Sequence, residues 1–250
     1  MLNKKNTKEY WLYGKHPVFS AMENIARRFD RLLANKKIAK HIDIKYKKVL
    51  EKFNITLEIL PNKDISKEIG VLESTHQGLA ISTEKLKSVS INDLIKKDNI
   101  KSKVLILDQV TDPMNIGAII RSSLAFGIDA VITTTRCAPP ENSTIVKSSA
   151  GAFEHIPYIQ VTNIRRLIDF LKKNSYWVAS IVQHGSFPIK KLQDFHKLAL
   201  IIGSEGQGVR RINLDASDVR VQIKMSAKLD SLNVSNATAI ILHSLYKVTI

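Results

Sequence analysis

With 250 residues, 44% of them hydrophobic, and a formal net charge of +15, the chain has the volume for one large domain or two modest ones. No apolar run is as long as a membrane span, and the opening MLNKKNTKEYW carries charge with no apolar stretch behind it, so neither an anchor nor an export signal is expected. Cys137 is the only cysteine, which excludes an intramolecular disulfide and a cysteine zinc cluster and fits a reducing cytoplasm.

The charge is uneven: residues 1–103 hold 22 Lys and Arg against 12 Asp and Glu, whereas residues 104–250 hold 16 against 11. Such an excess favours a polyanionic partner, nucleic acid ahead of a membrane surface, because no basic amphipathic anchor is present. A codon bias toward Lys, Ile and Asn would produce the same surplus, so charge alone does not decide.

In chain order, YWLYGKHPVFSAMENIARR predicts a helix after an aromatic start, with Pro17 in its first turn and Val18, Met22 and Ile25 as the buried stripe. A short segment around Leu32 and Leu33 precedes IDIKYKKVLEKFN, which reads as one amphipathic helix, and ITLEIL, a strand. KDISKEIG reads as a helix ending at Gly70 and THQGLAIST as a glycine-bearing strand, so residues 1–85 form a small α/β unit. Residues 86–103 are polar and lysine-rich and read as a linker with room for one helical turn.

From Val104 strands and helices alternate: VLILDQV, a helix over 113–126, DAVITTT, a helix over 144–153, YIQVT, a helix over 164–173, YWVASIV, LALIIG, VRVQIKM, and a closing helix in SLNVSNATAIILHSLYK. This order predicts an α/β domain over 104–250 with a parallel sheet covered on both faces.

The most informative stretch is LALIIGSEGQGV, an apolar run that enters a turn with three glycines and one carboxylate. Gly203, Gly206 and Gly208 would allow positive φ and close backbone approach, which suits a ligand held by main-chain groups. The spacing G-x-x-G-x-G is neither the dinucleotide fingerprint nor a Walker loop, and a glycine turn without a ligand is the equal alternative.

In TDPMNIGAIIRSSLAFG, Asp112 stands at an N-cap position, Pro113 at the first helical position and Asn115 in the first turn, near the carboxyl end of a strand where open α/β sheets bind ligands. Arg121 lies four residues after Gly117, which leaves room for another backbone or an RNA strand; the alternative is a surface arginine paired with a carboxylate. Ser231 and Asn233 open the last helix, where capping and ligand binding are compatible, and Ala237, Ile241 and Leu245 would supply its core stripe. The seven histidines lack metal-binding spacing, and no G-x-S-x-G elbow is present.

Three ordered blocks, DPMNIGAIIRSSLAFG, LIIGSEGQGV and IKMSAKLDSLNVSNATAI, resemble the motifs of the SpoU-type RNA ribose 2'-O-methyltransferases of the SPOUT superfamily. VKSSAGAFEHIPYIQVTN continues the match, and YGKHPVFSAMEN with THQGLAI resembles the amino-terminal RNA-binding domain of the branch that acts on guanosine in 23S ribosomal RNA. The resemblance implies a cytoplasmic, metal-free homodimer with a deep trefoil knot in its catalytic domain, S-adenosylmethionine as methyl donor and ribosomal RNA as partner. It implies that Ile202, Gly203, Glu205, Gly208, Ile223, Met225, Ser231, Leu232 and Asn233 line the cofactor site, and that Asn115, Arg121, Glu205, Ser231 and Asn233 serve catalysis. Lys224, Ala227 and Asn236 depart from the family pattern, standing where proline, glycine and a small apolar residue are common. A transfer RNA substrate or another ribosomal RNA nucleotide such as an antibiotic-resistance adenosine, a non-catalytic ribosome-assembly factor and a nucleotide-binding α/β protein are the competing readings.

Overall fold

The computed structural model describes residues 10–95, 100–226 and 228–246. The chain divides into two compact units at Lys87/Ser88.

The first unit runs β1 (Trp11–Tyr13), α1 (Lys15–Glu23), β2 (Phe29–Ala34), α2 (Lys36–Lys45), α3 (Lys47–Phe53), β3 (Thr56–Ile59), α4 (Asn62–Ile69), α5 (Glu73–His76) and β4 (Leu79–Thr83). Its sheet has the order β1-β4-β2-β3, with β2 and β3 parallel and the other pairs antiparallel. Leu12, Leu32, Leu33 and Ile81 are fully buried in it. The Leu32–Leu33 segment, which the sequence leaves unassigned, is a full strand. Three expectations fail here. The strand expected over THQGLAIST begins only at Leu79, because α5 takes up its start and Gln77 and Gly78 have positive φ (56° and 75°). The predicted long helix breaks at Tyr46, which is buried and stacked on Phe19 at 5.0 Å, so one ring ends α2 and starts α3. Ile25 lies beyond the end of α1 and is 81% exposed, so the stripe is Val18, Ala21 and Met22.

The second unit runs α6 (Ile91–Ile95), β5 (Ser102–Asp108), α7 (Pro113–Ala125), β6 (Ala130–Thr134), α8 (Ser143–Ser148), β7 (Tyr158–Val161), α9 (Ile164–Lys173), β8 (Trp177–Val182), β9 (Lys197–Gly203), α10 (Arg211–Leu214), β10 (Val219–Gln222) and α11 (Val234–Leu245). The six strands are all parallel, in the order β10-β8-β9-β5-β6-β7. This is the parallel α/β sheet the alternation predicts. The stretch read as a linker thus carries α6, and its last two residues open β5.

Strand residues alternate between faces. Val104 and Ile106 pack with Ile164, Leu167, Ile168 and Leu171 of α9. α7 packs on α8 and on α11. The helix expected over 144–153 stops at Ser148, because Ala150 and Gly151 take positive φ (51° and 94°), and a 3-10 turn follows at Ala152–Glu154. In α11 the core residues are Val234, Thr238, Ile241, Leu242 and Leu245, with Ala237 only half-buried. Lys247, at the end of the expected closing helix, lies outside the described residues.

Candidate active site

The carboxyl ends of β8 and β9 and the segment after β10 enclose a cavity of about 310 Å3. Its walls include Ile181, Val182, Ile202, Gly203, Glu205, Gly208, Val209, Ile223, Met225, Ser231, Leu232 and Ala237. Ligands of open α/β sheets bind at this end of the strands.

The glycine turn has a steric basis. A Cβ on Gly203 would lie 1.9 Å from the carbonyl carbon of Gly208, so the start of the turn must be glycine for its two arms to meet. The Gly208 amide donates to the Ser204 carbonyl at 2.9 Å and has φ 64°. Gly206 has no positive φ, and a Cβ added there would meet no atom within 4 Å, so the expectation of conformational need at all three glycines holds for two.

Glu205 ties the turn to the last helix. Its Oε1 accepts from Asn233 Nδ2 at 2.7 Å and from the Val234 amide at 3.0 Å. Asn233 Nδ2 also donates to Asn115 Oδ1 at 3.2 Å. The other end of the same side chain caps α11, Oδ1 accepting from the Ser235 and Asn236 amides at 3.0 and 3.4 Å. Asn233 therefore caps a helix and joins all three motif blocks at once. Asp112 in turn caps α7, accepting from the Met114 and Asn115 amides at 3.1 Å each, which fixes where Asn115 begins the helix.

A second carboxylate, unnoticed in the sequence, holds the far end of the turn. Asp108 ends the central strand β5 and is fully buried. It accepts from the Arg210 amide at 2.9 Å, Arg210 Nε at 2.7 Å and Asn213 Nδ2 at 2.7 Å. Its only sequence signal is a carboxylate closing an apolar strand, where burial demands partners. On the opposite rim, Gln183 Nε2 donates to the Asp230 carbonyl at 3.2 Å and steadies the segment that carries Ser231.

These elements coincide with a family match. Residues 102–243 fit the model of the SpoU rRNA methylase family. The chain belongs to that family. It is an RNA methyltransferase of the SpoU/TrmH type, and a Staphylococcus epidermidis protein named for TrmH family tRNA/rRNA methyltransferases is 35% identical to it over 175 residues, 69% of this chain and 70% of the relative. In fold it is similar to the SpoU methyltransferase AviRb of Streptomyces viridochromogenes, solved with AdoMet, at TM-score 0.76 and 22% identity over 95% of this chain and 89% of the other. An RNA 2'-O ribose methyltransferase structure aligns at TM-score 0.73 and 18% identity over 95% and 88%.

Within this SpoU unit the residues expected from the motifs divide three ways. Ile202, Gly203, Glu205, Gly208, Ile223, Met225, Ser231 and Leu232 line the cavity. Asn115 and Asn233 lie beside it through Glu205. Arg121 does not line it: it is exposed on α7 and has no hydrogen-bond or ion-pair partner among the described residues. The clearance expected over Gly117 is filled by α8 instead, since a Cβ there would lie 1.9 Å from Ser148 Oγ and 2.6 Å from the Ile145 carbonyl oxygen. Lys224 and Asn236 are exposed, and Ala227 lies outside the described residues. Among the described residues no cluster of metal-ligating side chains occurs, and no helix is long and apolar enough to cross a membrane.

Proposed function

We propose that the chain transfers a methyl group from S-adenosylmethionine to the ribose 2'-hydroxyl of a guanosine in 23S ribosomal RNA, acting as a cytoplasmic homodimer with the knotted SPOUT threading. The observation that carries this reading is the Asn115–Asn233–Glu205 cluster at the edge of the glycine-turn cavity. The cavity suits the donor: apolar Ile202, Ile223 and Leu232 fit a purine, and the main chain of Gly203–Gly208 offers polar groups without intervening side chains. S-adenosylmethionine supplies an electrophilic methyl carbon on a sulfonium sulfur.

The protein then has to orient the hydroxyl and accommodate its proton. A guanidinium stays protonated, so Arg121 acts by clamping the phosphate beside the target ribose and by stabilising the developing alkoxide. Its exposure and lack of a described partner leave the charge available to RNA. The exposed apolar residues Met114 and Leu124 on α7 and Ile240 on α11 support a dimer face on that pair of helices. The basic first unit would hold RNA through phosphate and shape.

The Arg121→Ala protein is expected to bind S-adenosylmethionine as the parent does and to lose methyl transfer by about a hundredfold or more. Undiminished turnover by that variant overturns the role. Tritiated methyl transfer to RNA from a strain lacking the protein, followed by mapping of the labelled ribose, tests the substrate; label in transfer RNA overturns the ribosomal assignment in favour of the other substrate that the name of the Staphylococcus relative covers.

A further inference from the structure

A second pocket, of about 190 Å3, lies at the carboxyl ends of β6 and β7, on the other side of the chain from the cavity at Val209/Arg210: Val209 lines the first and Arg210 the second. Its lining includes Thr134, Arg136, Asn163, Arg165, Arg210 and Asn213. Three arginines among the lining residues concentrate positive charge around this pocket.

Two of the three are partly engaged. Arg210 Nε bonds Asp108 at 2.7 Å, and Arg165 Nε faces the exposed Asp169 at 3.2 Å. Arg136 is exposed and has no partner among the described residues. The pocket also receives the amino terminus of the ten-residue helix α9. Asn163 caps the Arg166 amide, and its carbonyl accepts from Leu167, which leaves the amides of Ile164 and Arg165 without a helical acceptor. Independently of the helix, Thr134 is 4% exposed and its Oγ1 is buried without a hydrogen-bond partner. A buried hydroxyl in that state calls for an acceptor or donor from outside the fold. Arginines, free helix amides and a threonine with an unsatisfied hydroxyl grouped around one small pocket suit the oxygens of a phosphate.

We propose that this pocket binds a backbone phosphate of the substrate RNA, a subsite separate from the methyl-donor cavity. The proposal rests on the reading of the chain as an RNA methyltransferase, and the tests below separate the two. Titration of the full-length, nitrogen-15-labelled protein with inorganic phosphate is expected to shift the Ile164 and Arg165 amides. Those shifts should vanish in Arg136→Gln and Thr134→Val and return in Thr134→Ser, which restores the hydroxyl. Filter binding of transcribed 23S ribosomal RNA should weaken about tenfold in Arg136→Gln, with the log–log salt slope lowered by about one, while S-adenosylmethionine affinity is unchanged.

Absence of amide shifts in the parent protein overturns the site. Phosphate shifts with unaltered RNA affinity in Arg136→Gln overturn the RNA assignment and make the pocket a receptor for a free phosphate compound. Methyl transfer by the parent protein is scored separately: its failure sinks the proposed function, whereas the phosphate and RNA-binding readouts still judge the pocket.

Discussion

Asp108 and Glu205 are two carboxylates that do the same job in different surroundings. Each accepts from one backbone amide and at least one side-chain amide, and together they pin the two ends of the Gly203–Arg210 turn. Asp108 is fully buried at the end of β5 and has a guanidinium partner, whereas Glu205 is exposed on the rim of the cavity and has only neutral donors. A buried carboxylate with three donors fixes shape, because losing it strands those donors away from water. An exposed one can exchange its partners for a ligand's at small cost. The turn is therefore rigid at its Arg210 end and adaptable at Glu205, on the rim of the cavity.

Substitution can break that contrast in a graded way. Asp108→Ala should cost about 3–5 kcal/mol, since it leaves Arg210 and Asn213 unpaired, read as a fall in the urea midpoint; a loss under about 1 kcal/mol would make the buried carboxylate dispensable. Gly203→Ala puts a methyl group into the Gly208 backbone and should cost about 3 kcal/mol and abolish S-adenosylmethionine binding measured by calorimetry. Glu205→Gln keeps an acceptor but removes the charge, so stability should drop by about 1 kcal/mol while cofactor affinity falls about tenfold. Gly206→Ala meets open space and should stay within about 0.5 kcal/mol of the parent, an outcome that separates the conformational glycines from the spare one.

The regular parts of this structure were legible because they depend on neighbours in sequence. The parallel strands read as apolar runs, and the Asp112–Pro113 start of α7 follows from local capping chemistry. The strand β2 was not legible, because its segment FDRLLA mixes charge with apolar residues. Its Arg31 lies on the wet side, held by Glu58 and Glu68 at 2.8 Å each, partners that only the fold supplies. The site divides the same way. The glycine turn and the Asn233 cap are local features, whereas the bonds of Asp108 to Arg210 and Asn213 span 102 and 105 positions and have no sequence pattern. Arg121 was legible as a motif residue, but no local rule says that it stands apart from the cavity while Asn115 in the same helix stands beside it.

The strand order has a consequence for how the molecule is made. β9 lies between β8 and β5, paired with β5 from Ser102↔Lys197 to Asp108↔Gly203, yet it is the next-to-last strand to be synthesised. Until it arrives, β5 and β8 each present an unpaired inner edge, and pairings this remote in sequence make assembly slow. The same strand ends in the glycine turn, so filling the last inner gap in the sheet also sets one wall of the cavity, which the segment after β10 completes. S-adenosylmethionine added to a refolding mixture would therefore bind only after both the newcomer strand and the chain that follows β10 have slotted into place.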